Sequence, residues 1–151
     1  MKIAVGSDHA GFALKEAVKH ELERSGHQVV DVGTSGTESV DYPDFAIPVA
    51  EKVASHEVDR GVVMCATGIG ASIAANKVHG ARASVVTSDE MARLTRTDND
   101  SNILALGSKT APDVEAALRW LHVWLDTPFA GGRHERRVEK IRDYEERHSR
   151  T

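Results

Sequence analysis

The chain has a single cysteine, Cys65, among 151 residues. No disulfide can close within it, which suits a reducing cytoplasm. Aromatic residues are scarce, at 5%, too few for the base-stacking surfaces of single-strand nucleic-acid binders. Positive charge is not in excess: 19 basic residues stand against 23 acidic ones, a net charge of -4. No basic field therefore awaits a phosphate backbone. Long hydrophobic runs are missing too, so no segment is expected to span a bilayer, and the first apolar run lies too close to Met1 for a signal peptide. What is present is an ordinary globular composition, 40% hydrophobic, at the length of one domain with a core of its own.

Short apolar runs alternate with helical patterns. Lys2-Ile3-Ala4-Val5, Gln28 to Val32, Val62-Val63-Met64-Cys65, Ala81 to Val86 and Ile103 to Leu106 read as strands. Between them lie helical stretches. One carries Phe12, Leu14, Ala17, Val18 and Leu22 and ends at Ser25-Gly26; another opens at Pro43, with Pro48 as an awkward interior residue. A small-residue helix runs through Asn76, and a fourth covers about Asp89 to Thr97. Thr110 and Asp113 resemble a capping box ahead of a face of Val114, Ala117, Leu118, Leu121 and Leu125. This alternation predicts an α/β fold, a single αβα domain whose five-stranded parallel sheet spans 1–127. Residues 128–151 form a charged C-terminal arm and helix with a thin apolar stripe at Val138, Ile141 and Tyr144. Such a helix cannot stand alone and must dock on its own domain or on a partner subunit.

Parallel sheets bind ligands beyond the carboxyl ends of their strands. That edge is predicted to hold Gly6-Ser7-Asp8-His9, Cys65-Ala66-Thr67-Gly68-Ile69-Gly70 and Gly107-Ser108-Lys109. Cys65 ends a strand before a glycine-rich turn into a helix, where backbone amides shift a thiol toward thiolate, below its free pKa of about 8.5. The plainer alternative is a small buried apolar residue. Ala71 stands where a Cys-x5-Arg phosphatase loop needs arginine, which removes that chemistry. The glycine turn is neither GxGxxG nor a P-loop, yet the amides from Thr67 to Gly70 suit a developing oxyanion. Asp8 either caps the first helix or binds substrate hydroxyls, and His9 binds an anion or steers a proton. Arg133, Arg137 and Lys109 suit a phosphate clamp, or else solvated faces. Asn99 belongs to a run of turn-forming residues. The eight histidines show no HExxH or Cys–His spacing, so neither a metal nor another cofactor is expected.

Five separated motifs, in order, resemble one family. They are Gly6-Ser7-Asp8-His9-Ala10-Gly11, Asp41-Tyr42-Pro43, Cys65 to Gly70 with Ile73-Ala74-Ala75-Asn76-Lys77, Asn99-Asp100-Ser101-Asn102, and Gly131-Gly132-Arg133-His134. The family is the type B ribose-5-phosphate isomerases, relatives of the two-subunit galactose-6-phosphate isomerase, and the resemblance covers nearly the whole chain. It implies a Rossmann-like domain, a metal-free aldose–ketose isomerase of phosphorylated sugars, and a dimer or tetramer with shared sites. By position, Cys65 resembles the family's base, and Thr67 with Ala66, Gly68, Ile69 and Gly70 its anion hole. Asp8, His9 and Tyr42 resemble sugar and phosphate ligands. Asn99, Lys109, Arg133 and Arg137 resemble groups that close the site, partly from a neighbouring subunit. One position departs. Asp98 stands where ribose-specific members usually place the histidine held to open the furanose ring. To act as that acid, its carboxyl pKa must rise well above about 3.9. Tetrose 4-phosphates, which close no furanose, need no such acid.

Overall fold

The structure, a computed structural model, describes residues 1–149; residues 150 and 151 of the predicted arm lie outside the described residues. Five strands, β1 (Lys2–Ser7), β2 (Gln28–Asp31), β3 (Arg60–Cys65), β4 (Ala83–Val85) and β5 (Ile103–Gly107), make one sheet in the order β2-β1-β3-β5-β4. Every pairing is parallel. The helices are α1 (Phe12–Arg24), α2 (Pro43–Ala54), α3 (Ile69–Ala75), α4 (Asp89–Thr97), α5 (Val114–Asp126) and α6 (Arg133–Arg147).

Strand residues point alternately to the two faces, and the core divides accordingly. Ile3, Val5, Val62, Met64, Leu104 and Leu106 pack with α1, α4 and α5. Ala4, Val63, Cys65, Ile103 and Ala105 pack with α2 and α3. The second set is dominated by alanine and valine, which lets α2 and α3 lie close to the sheet. The chain leaves β1 toward β2 but leaves β3 toward the opposite side. That reversal opens a crevice at the carboxyl ends of β1 and β3.

Several local expectations are corrected. The N-cap of α5 is Asp113, whose carboxylate accepts the Ala116 N–H at 2.8 Å; Thr110 instead bonds the Gly107 carbonyl. The buried face of α5 is built on Trp120 and Trp124, while Val114 is exposed. Pro48 lies inside a continuous α2. The predicted strand from Ala81 to Val86 shortens to three residues. Its outer edge is covered by one side chain: the Asn76 amide donates to the Ala83 carbonyl at 2.9 Å and accepts the Ala83 N–H at 2.8 Å.

Helix α6 docks on its own chain. Only Val138 of its apolar stripe is buried; Ile141 and Tyr144 are exposed. The helix lies under the amino-terminal edge of the sheet, where Glu145 accepts the Gly80 N–H with both oxygens at 3.1 Å. Arg142 reaches Asp100 at 3.8 Å.

Candidate active site

Three loops meet at the carboxyl ends of β1, β3 and β5, and backbone contacts fix how they meet. Gly11 sits so tightly against β3 that a side chain there would meet the Met64 carbonyl carbon at 2.7 Å. The Ser108 and Lys109 amides donate to the Cys65 and Ala66 carbonyls at 3.0 and 2.8 Å. The turn after β5 is thereby joined to the turn after β3. Gly107 makes that junction possible, since a Cβ would come within 2.5 Å of the Thr67 carbonyl carbon.

Cys65 closes β3 and is almost wholly buried in the single chain, at 4% exposure. Its sulfur is not left to the apolar core. Sγ accepts the Gly68 N–H at 3.2 Å, across a turn whose Gly68 has φ of 78°. That left-handed conformation is open to glycine at little cost. Thr67 Oγ1 accepts the Ile69 N–H at 3.2 Å. Two of the four amides read as an anion hole are thus engaged within the turn, and the Thr67 and Gly70 N–H groups stand outside those bonds.

The other predicted residues divide into two groups. Asp8, His9, Tyr42 and Lys109 share the Cys65 edge. Asp8 is buried and its Oδ1 accepts the Gly11 N–H at 3.0 Å, so it performs the capping role at the entry to α1. His9 Nδ1 lies 3.2 Å from both the N–H and the carbonyl of Val40. The loop of residues 33–42 thereby controls the imidazole. Tyr42 lays its ring over Gly70, where a Cβ would meet Tyr42 Cζ at 2.6 Å. Lys109 is exposed beside the Ala66 carbonyl.

Asp98, Asn99, Arg133 and Arg137 are elsewhere. They follow α4 or open α6, at the edge where strands begin, while Gly107 pairs with Cys65 at the far end of β5. Roughly 13 Å of strand separates the two edges, at about 3.3 Å per residue. No single chain brings these four residues to its own Cys65. Asp98 Oδ1 is bound by the Thr97 hydroxyl at 2.8 Å and approached by His134 Nε2 at 3.5 Å. His134 is a member of this cluster that pattern reading passed over, because its neighbour is distant in sequence. Asn99, Arg133 and Arg137 are exposed.

The cavities of the chain follow the same division. The largest by lining, about 470 Å³, lies between α6 and the amino-terminal edge, bordered by His79, Arg82, Arg142 and Glu145. Neither this one nor the two smaller surface cavities is lined by Cys65. Around the Cys65 turn, the surface instead presents Tyr42, Ile47, Ile69 and Ile73 as exposed apolar side chains. Among the described residues, no group of three His, Cys, Asp or Glu side chains is arranged to hold a metal ion. No described helix is long and apolar enough to cross a membrane.

Residues 3–141 match the sequence pattern of the ribose/galactose isomerase family. Ribose-5-phosphate isomerase B of Escherichia coli is 48% identical over 147 residues, covering 97% of each chain. Among solved structures, ribose-5-phosphate isomerase B of Clostridium thermocellum superposes with a TM-score of 0.96 at 52% identity, covering 99% of this chain and 100% of that one. The Mycoplasma genitalium enzyme, solved with bound ribulose 5-phosphate, gives 0.91 at 38% identity, over 96% of each.

Proposed function

Since the chain belongs to the ribose/galactose isomerase family and is a sugar-phosphate isomerase, we propose that it interconverts ribose 5-phosphate and ribulose 5-phosphate with Cys65 as the base. The observation that carries this reading is the Cys65 sulfur at the end of β3, facing a glycine turn and accepting its Gly68 amide. Hydrogen-bond donation to sulfur favours its anionic form.

The chemistry follows from that placement. The thiolate takes the proton from C2 of the open-chain aldose, and the C1 carbonyl oxygen gathers the electron pair as an enediolate. Returning the proton to C1, with the C2 hydroxyl losing its own, gives the ketose. One base on one face serves both transfers. The Thr67 and Gly70 amides are the donors available to the developing oxyanion, each worth roughly 3 kcal/mol. Asp8, His9 and Tyr42 hold the sugar, and Lys109, Arg133 and Arg137 hold its phosphate. Ala66, Gly68 and Ile69 complete the turn as backbone, and a cytoplasmic location suits an enzyme that depends on a free thiol.

The working unit in this reading is a homodimer in which each Cys65 edge meets the other chain's amino-terminal edge. Two features support it: the exposed Asn99, Arg133 and Arg137, remote from their own Cys65, and the apolar patch of Ile69, Ile73 and Tyr42 around the turn. Arg137→Ala should then raise KM by about 10- to 100-fold, the loss expected for a charged hydrogen bond. Co-expressed with Cys65→Ala, it should regain activity that neither variant has alone. Random twofold pairing leaves one intact site in half the dimers, about a quarter of wild-type turnover at low substrate. Purely additive activity would place Arg137 and Cys65 in sites of the same chain or remove Arg137 from the site.

A second reading keeps the chemistry but changes the sugar. Asp98, the position that matches the ring-opening histidine, is engaged as an acceptor by Thr97 and His134, an arrangement suited to substrates that remain open-chain. The deciding experiment follows solvent deuterium into four-, five- and six-carbon aldose and ketose phosphates, with wild type and Asp98→His. The pentose reading expects exchange into ribose 5-phosphate by wild type. Exchange confined to tetrose phosphates favours the second reading, and none into any sugar phosphate overturns both.

A further inference from the structure

Lys15 is the one lysine of the described residues with no exposure at all, and nothing in the isomerase chemistry uses it. It sits in the first turns of α1, its amide bonded to the Gly11 carbonyl at 2.8 Å, and Gly11 is the residue wedged against the backbone of Met64 and Cys65. Its ammonium group is fully engaged. Nζ donates to Asp31 Oδ1 and Oδ2 at 2.9 and 2.8 Å and to Glu16 Oε1 at 2.9 Å. The Phe12 ring lies 5.3 Å away.

Asp31 passes the constraint on. Its Oδ1 also accepts the Gly33 N–H at 2.9 Å. Burial pushes its carboxyl up, but the hydrogen bonds from Lys15 and the Gly33 amide outweigh that and hold it below the ordinary carboxylate range. Gly33 and Thr34 then join the end of β1, with Ser7 N–H to the Gly33 carbonyl and Thr34 N–H to the Ser7 carbonyl, both at 2.8 Å. Asp8 and His9 come next in the chain. The far end of the same loop brings Val40 to His9 Nδ1 and Tyr42 to Gly70.

We propose that the buried Lys15–Asp31 pair is a positioning device for the isomerase site, fixing the loop of residues 33–42 so that His9 and Tyr42 face the Cys65 turn. A buried ion pair is a poor way to gain stability, since apolar groups of the same volume serve as well or better. It is a good way to fix a direction, because Lys15 has three donors and each is aimed at a named oxygen. The proposal rests on the reading of the Cys65 edge as the site.

Lys15→Met is the test, because it fills the same channel and leaves Asp31 with Lys19 at 3.3 Å and with the Gly33 amide. Melting temperature, amide hydrogen exchange over residues 33–42, and steady-state kinetics are measured side by side. The expected result is a folded protein in which exchange across that loop rises at least about 10-fold relative to the β3 and β5 amides. KM for the sugar phosphate should rise about 10-fold or more, with kcat changed less than about threefold. A merely structural role would raise exchange across the whole sheet and leave KM alone. A folded variant with unchanged loop exchange, or with faster loop exchange but unchanged KM, overturns the proposal. Should Lys15→Met not fold, the double variant Lys15→Met/Asp31→Asn removes both charges and decides between the same outcomes. Failure of both to fold would mark the pair as a folding element and also overturn the proposal. Wild-type protein that isomerises no sugar phosphate would sink the site reading instead, while loop exchange would still report whether the pair orders the loop.

Discussion

Cys65→Ala should lower kcat by about 100- to 10,000-fold, the share that a positioned base contributes to proton transfer. The fold should survive. The substitution removes one buried sulfur from a face already lined with alanine and valine, a change that typically costs about 1 kcal/mol. The Gly68 amide loses its acceptor but lies in a turn that a ligand or water can reach. Sugar-phosphate binding, measured by calorimetry, should therefore persist near the wild-type affinity while solvent deuterium no longer enters the sugar. A Cys65→Ala protein with wild-type turnover would assign the proton to another group, and the sulfur would be reduced to packing.

Gly107→Ala should be nearly as damaging, by a different route. A methyl group there would meet Thr110 Oγ1 and, at 2.5 and 2.6 Å, the carbonyl carbon and oxygen of Thr67. The threonine side chain can swing aside, but the Thr67 backbone cannot without dragging the whole Cys65–Gly70 turn. Overpacking of this kind costs about 1–3 kcal/mol. Shifting reacting groups by about 1 Å costs on the order of 100-fold in rate. Denaturant unfolding should record the first and kcat the second. An active, equally stable Gly107→Ala protein would show that the two turns slide independently.

The placement of Cys65 was legible because two local signals coincide there: the end of a short apolar run and a glycine turn that starts a helix. The alternation of strands and helices made the parallel sheet legible for the same reason, since each element announces its own period. What pattern reading could not reach depends on contacts distant along the chain. Asp98, Asn99, Arg133 and Arg137 are read as site residues from their motifs. Only the packing of α6 under the strand starts shows that they belong to the edge opposite their own Cys65. The α5 cap was misplaced because Thr110 and Asp113 are both good N-cap residues, and the choice rests on where the chain leaves Gly107.

Lys15 is the sharpest case. On a helix, a lysine between Leu14 and Glu16 reads as solvent-facing. Its burial is decided by Asp31 on the neighbouring strand connection, sixteen positions away. Trp120 and Trp124 were passed over for a related reason. Large rings with a polar tip fit several patterns, and the Trp124 indole is placed by the Ser101 hydroxyl at 2.9 Å, a partner that no periodicity reveals.

The side chain of Asn76 does for β4 what another strand would do, occupying the outward N–H and carbonyl of Ala83. The sheet therefore offers little template for a stranger's backbone at this border, and what remains is only three residues long. Exposed borders are where β-rich proteins stick together as fibres or tangled precipitates. Stopping that kind of growth here leaves helix faces as the surfaces by which one molecule can recognise another, and confines self-association to assemblies of fixed size.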